Sequence, residues 1–203
     1  MRQVNDMKIP KADLDKITKF MIEADKLKAV NRTGWTIRKV KNHEHVADHS
    51  YSTALLSYIM AKKLGLDANR CMIMALTHDM NEIITGDIAT RAKEHHQTIN
   101  NHDKARLEHI NMLKILANLD KSSNTHFKAM WTELKENKTK EAQLVHEVDN
   151  LDYILQLIPY HKYMKKDSYI EEFFITAKRK ITNPELLYIY EKIREQIYKE
   201  RGK

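Results

Sequence analysis

The stretch from Cys71 to Met80 reads Cys-Met-Ile-Met-Ala-Leu-Thr-His-Asp-Met, an apolar run that closes on an ionisable pair. A helix that is apolar on every side belongs in the middle of other helices. A His-Asp pair inside it is costly unless it is paired or holds a metal. With Asp67 as N-cap, the spacing predicts one helix over about 68–84, closed by Gly86-Asp87. The longest purely apolar run, Cys71–Leu76, is far too short to span a membrane.

The rest of the chain must therefore supply helices to surround this one, and it reads as helix after helix. Residues 11–29 place Leu14, Ile17, Phe20, Met21, Ala24 and Leu27 at helical spacing, and Gly34 predicts a turn after them. Residues 45–64 form an amphipathic helix stopped at Gly65. Residues 88–101 read as an irregular loop, 103–118 as a helix, 120–126 as a polar loop and 127–137 as a helix. Residues 139–158 follow as a helix ended by Pro159, then 168–180, then a last helix over about 185–200 opened by Asn183-Pro184. Four Gly and three Pro are too few for the turns of an all-β sandwich. The expectation is a single all-α bundle over 1–203, with its core at about 14–195 and neither repeat nor linker.

One cysteine makes no internal disulfide, and the N-terminus lacks an apolar signal core, so a cytoplasmic protein is expected. The net charge of +7 draws phosphates. No basic block interleaved with aromatics appears, which speaks against nucleic acid as partner.

Eleven histidines are present, and most need no special role. His43, His95, His96, His126 and His161 lie in polar stretches and are expected in solvent. His49 follows Asp48 near a helix start, His78-Asp79 sits in the apolar run, and Asp149 sits in the mostly apolar Val145–Leu151. Two imidazoles and two carboxylates suit one divalent transition metal such as Mn, Co, Fe, Ni or Zn. Without cysteine ligands it is no structural zinc finger. Glu82, four residues after His78, falls on the same face of the predicted helix, where a carboxylate can orient water or carry a proton.

The order His49, His78-Asp79, Asp149 resembles the signature of HD-domain metal-dependent phosphohydrolases. Arg32-Thr33-Gly34-Trp35 with Arg38, Glu44–Ser50, and His78–Ile88 are similar to the YfbR-like 5′-deoxynucleotidases and their archaeal and eukaryotic relatives. The resemblance covers roughly 14–195.

It implies that His49, His78, Asp79 and Asp149 hold one divalent ion (Mn, Co, Ni, Fe, Mg or Zn), with Glu82 and Asp87 catalytic. Asp87, with Thr90 nearby, would bind the sugar 3′-hydroxyl or help position water, and Trp35 would pack near the sugar. The bacterial pattern has Arg directly before this Trp; here Gly34 stands there, leaving Arg32 or Arg38 for the phosphate, with Lys104 and Arg106 as further candidates. The implied reaction is hydrolysis of deoxyribonucleoside 5′-monophosphates. The alternatives are a deoxynucleoside triphosphate triphosphohydrolase or alarmone hydrolase on the same site, and a non-catalytic nucleotide-binding module. Relatives are often dimeric, so a homodimer is expected, with 170–175 or the last helix covering the bundle or forming the interface.

Overall fold

Caps in the sequence set several helix boundaries in the structure, a computed structural model that describes residues 8–88 and 101–202. α1 spans Lys11–Asp25 and tightens into a 3₁₀ turn at Lys26–Ala29. α2 is Thr33–Ile37; α3, Val46–Leu64, ends at Gly65, whose φ of 71° lies in the left-handed region that glycine enters without strain. α4, Ala68–Thr77, starts at Asp67, whose side chain accepts from the Arg70 N–H. α5, Glu82–Thr85, is a single turn; α6 is Asn101–Leu116 and α7 is Lys121–Glu136. α8, Lys140–Tyr160, starts at the Thr139 cap, and α9 is Asp167–Lys178. α10, Pro184–Glu200, opens on Asn183, which accepts from the Leu186 N–H. The chain is one all-α domain, and the described residues form no sheet.

The central helix is α8, not the apolar run. Val148, Leu151, Ile154 and Leu157 are fully buried, because α3, α4, α7, α9 and α10 all pack against α8. α4 buries only the face carrying Cys71, Met74 and Ala75, while Leu76 is 44% exposed. Its apolar composition overstated its burial, because a helix in contact with α3, α7 and α8 still has an outer side.

Nor does that helix run on to residue 84. It stops at Thr77, and 78–81 form a tight turn before α5. Side chains take the last carbonyls: His78 Nδ1 lies 2.6 Å from the Ala75 oxygen and Thr77 Oγ1 donates to the Ile73 oxygen at 2.8 Å. The backbone then closes through i→i+3 bonds, Met80 N–H to Thr77 and Glu82 N–H to Asp79. Two apolar clusters fix this turn. The main one fills the bundle around α8, and a second joins Phe20 of α1, Met112, Ile115 and Leu116 of α6, and Trp131 of α7. Met80 is buried in the second cluster, so the turn is pinned beside α1, α6 and α7.

Other expectations are corrected by local bonding. Gly34 lies inside α2, with no turn there. The polar stretch 120–126 is helical from Lys121, because Asp120 accepts from the Ser122 and Ser123 N–H groups and caps α7. Pro159 sits in the last turn of α8, which reaches Tyr160 before a 3₁₀ turn at His161–Tyr163. His161 is buried, with Nε2 3.0 Å from Glu200, and is not in solvent. His43 is half-buried between Thr36 and the Glu44 carbonyl, whereas His95 and His96 fall outside the described residues. Ile170, Phe173, Phe174, Leu186, Tyr190 and Ile193 are all buried, so α9 and α10 spend those faces covering the bundle. No helix among the described residues is long and apolar enough to cross a membrane.

Candidate metal centre

α3, the turn after α4, and α8 each deliver ligand atoms to one point. His49 Nε2 lies 3.2 Å from His78 Nε2 and 3.1 Å from Asp149 Oδ1; His78 Nε2 lies 3.0 Å from Asp79 Oδ2. The cross distances, His49 to Asp79 and His78 to Asp149, are 3.8 and 3.9 Å. Donor atoms sharing a cation at about 2.1 Å stand about 3.0–3.4 Å apart, so the spacing is that of a coordination sphere. Exposure rises from 0% at His49 and 10% at His78 to 20% at Asp79 and 32% at Asp149. The cluster is thus closed behind its imidazoles and open on its carboxylate side, where a catalytic metal keeps positions for water or substrate.

The chemistry of the donors passes the same test. His49 Nδ1 lies 2.7 Å from Asp152 and His78 Nδ1 faces the Ala75 carbonyl, both pure acceptors, so each Nδ1 carries the hydrogen. Each Nε2 is then the atom aimed inward, and it offers its lone pair to a cation that takes the place of a proton. His49, His78 and Asp79 form a group that could hold a cation, and Asp149 stands beside it, 3.1 Å from His49. The field has the matching sign. Burial and the Arg32 charge oppose protonation of His49, yet Asp149 and Asp152 outweigh them and raise it to about 10. Burial works against ionisation of Asp79, but His78, His49 and Arg32 hold its carboxyl well below the usual range. Asp149 is held at about 2, burial again being outweighed by His49 and His78.

Asp152, 3% exposed, is a site residue that the sequence reading misses. Its one signal is its place three residues after Asp149 on the same helix face. It fixes the tautomer and the ring plane of His49. Asp152→Asn is expected to weaken Mn²⁺ binding about 10- to 100-fold, read by calorimetric titration of the metal-stripped protein.

Around the ligands sits a ring of charge. Arg32 Nη1 is 3.7 Å from Asp79 and 3.9 Å from Asp87, and Arg32 Nε is 3.9 Å from Glu44. Burial opposes its charge, but Asp87, Asp79, Asp149 and Glu44 keep it fully protonated. Asp87 accepts from the Thr33 N–H at 2.8 Å, so it also ties the segment after α5 to the start of α2. Glu82, 6% exposed, has a buried Oε2 with no hydrogen-bond partner. Burial, then Asp79 and Asp87, push its carboxyl well above the usual range, against Arg32 and Lys104. Lys104 reaches in from α6 and donates to the Ile88 carbonyl at 2.8 Å, with Glu108 at 3.7 Å.

Other predicted residues stand apart from the ligands. Arg38 points to α9, bonded to Glu172 at 2.9 Å and stacked 4.3 Å over Phe173. Arg106 is exposed on α6. Trp35 is 2% exposed, stacked on Phe173 with Tyr160 edge-on, and its N–H donates to Glu44. Thr90 lies outside the described residues. Glu44, 7% exposed, is a second buried carboxylate that patterning does not reveal, because it lies in an irregular segment between helices.

The profile of the HD domain family matches residues 24–187. A Danio rerio protein named 5′-deoxynucleotidase HDDC2 is 32% identical over 90% of this chain and 88% of its own length. The Homo sapiens protein of that name is 31% identical over 85% of this chain and 82% of its own. Among solved structures, a Pyrococcus horikoshii protein superposes with a TM-score of 0.68 and 29% identity over 87% of this chain and 97% of that one. A Listeria innocua HD-domain phosphohydrolase, 16% identical with a TM-score of 0.63 over 92% of this chain and 91% of that one, shares the fold.

Proposed function

We infer that this chain, which belongs to the HD domain family, is a metal-dependent 5′-deoxynucleotidase that cleaves deoxyribonucleoside 5′-monophosphates into deoxynucleoside and phosphate. The observation that carries the reading is the cluster of donor atoms from His49, His78 and Asp79, with Asp149 3.1 Å from His49 and with Arg32 and the nearly enclosed Glu82 beside them. The names of the Danio rerio and Homo sapiens relatives support the substrate class.

A divalent ion held by these four residues supplies positive charge for the phosphate and lowers the pKa of water. The chain's own residues do the rest. Arg32, flanked by Asp79 and Asp87, is the proposed phosphate contact. Glu82 is the proposed general base and acid: it takes the proton of the attacking water and returns it to the leaving 5′-oxygen, a role its raised proton affinity suits. Asp87, oriented by the Thr33 N–H, is proposed to accept from the sugar hydroxyl. Lys104 is committed to Ile88 and Glu108, which favours a monophosphate over a longer phosphate chain. Lys104 then serves the site as the brace of Ile88, the neighbour of Asp87.

Two wider proposals follow. The protein is cytoplasmic, supported by its single buried cysteine. It forms a homodimer through α3, where Tyr51, Leu55, Tyr58 and Ile59 stand exposed along one stripe. Light scattering of wild type and Leu55→Glu decides this, the variant being expected as a monomer of 24.0 kDa.

The test of function is product analysis after metal removal and return of Mn²⁺, Co²⁺, Ni²⁺, Mg²⁺ or Zn²⁺. Inorganic phosphate from dAMP, at least about ten times faster than from AMP, is expected. Tripolyphosphate from dATP with dAMP untouched overturns the substrate.

A further inference from the structure

We propose that Glu44 is the positioning residue for Arg32, and that Trp35 serves the site by holding Glu44 through its indole N–H. This rests on the phosphohydrolase reading above, with Arg32 as the phosphate contact.

The backbone brings these groups together. Asn31 and His45 form an antiparallel bridge, and the Val46 N–H donates to the Val30 carbonyl at 2.9 Å. The residues just inside that pairing, Arg32 and Glu44, are therefore neighbours by construction. Glu44 is gripped from two directions. Its Oε1 accepts from Trp35 Nε1 at 2.8 Å, and its backbone N–H donates to the Tyr160 hydroxyl at 2.8 Å. A buried carboxylate so held has one orientation.

Arg32 is pulled from opposite ends, by Glu44 at Nε and by Asp79 and Asp87 at Nη1. At 3.7–3.9 Å none of these contacts is a hydrogen bond. The guanidinium is balanced between charges and not clamped by any of them. Without Glu44 it slides onto Asp79 and Asp87, and its donors close on carboxylates at the expense of an incoming phosphate.

Trp35 enters through its nitrogen. Phe173 stacks on the indole at 4.8 Å, Tyr160 meets it edge-on at 5.1 Å, and 2% exposure leaves no ring face for a sugar. Its free polar atom is spent on Glu44.

The experiment measures KM and kcat for dAMP, the inhibition constant of inorganic phosphate, and Mn²⁺ affinity, in wild type, Glu44→Gln and Trp35→Phe. Circular dichroism checks that each is folded. Glu44→Gln keeps an acceptor for the indole and removes the charge. It is expected to raise KM and the phosphate constant about 10-fold, with kcat within about 2-fold and Mn²⁺ affinity unchanged. Trp35→Phe keeps the stack on Phe173 and loses the N–H. It is expected to shift the same two constants in the same direction, leaving the dAMP-to-AMP preference as it was. A merely structural role would not split KM from kcat. Two results overturn the proposal. One is equal or tighter phosphate binding by Glu44→Gln, as simple removal of a negative charge predicts. The other is a Trp35→Phe variant that changes sugar preference alone. If the wild type turns over no monophosphate, that reading fails separately. Calorimetric binding of phosphate to the Mn²⁺-loaded protein still decides the role of Glu44.

Discussion

Asp79→Ala is expected to lower kcat/KM for dAMP at least about 10³-fold, the loss of roughly 4 kcal/mol of transition-state stabilisation. Three contacts make the effect this large. Asp79 Oδ2 lies 3.0 Å from His78 and 3.8 Å from His49, so it is one of the converging donors. It also lies 3.7 Å from Arg32, so its removal frees the guanidinium toward Asp87. A binding titration separates the two losses. If the ligand role dominates, Mn²⁺ affinity falls steeply and excess Mn²⁺ restores part of the rate. If the Arg32 role dominates, affinity holds and only KM rises. Full activity at ordinary Mn²⁺ concentration would remove Asp79 from the site altogether.

How this site could be read from sequence depends on what each residue does there. His49, His78, Asp79 and Asp149 stand out in the sequence because charged and imidazole groups in apolar stretches need a partner, and the fold pairs His49 with Asp149 and His78 with Asp79. The all-α fold was legible because helical spacing recurs from α1 to α10 and breakers are few. Asp152 and Glu44 were not. Their partners, His49 and Trp35, are reached across the bundle and around an irregular segment, and local periodicity carries no record of such contacts. The break at 78–81 was hidden for a related reason. The side chains that end α4, Thr77 and His78, look like helix interior until their hydrogen bonds are seen. His78 and Glu82 therefore do not share one continuous helix face, because α4 ends at Thr77 and α5 starts at Glu82. Glu82 is brought to the site because Met80 anchors the turn in the second cluster and α5 restarts beside it.

Glu82→Gln is expected to reduce kcat about 10²- to 10⁴-fold while leaving Mn²⁺ affinity within a few-fold of wild type, because the side chain carries protons and is not one of the converging donors. The residue is nearly enclosed, its Oε2 has no partner, and the carboxylates of Asp79 and Asp87 face it. Each of these favours the protonated form, so the acid limb of kcat in the wild type should lie above the usual carboxylate range and vanish in the variant. The same environment predicts a stability change of opposite sign. A carboxyl whose folded-state pKa is raised binds its proton more tightly folded than unfolded. It supports folding fully below the unfolded pKa, and that support is lost as pH rises through the folded value. Above that window the wild type bears a buried, unpaired carboxylate, whereas the glutamine stays neutral and offers two N–H donors toward Asp79 and Asp87. The metal-free variant should therefore melt at a higher temperature than the metal-free wild type at pH 8, and the gap should close toward pH 4. A variant that is slow and less stable at pH 8 would make Glu82 a packing residue. A variant that is slow and more stable identifies a side chain whose proton affinity serves the reaction at the expense of the fold.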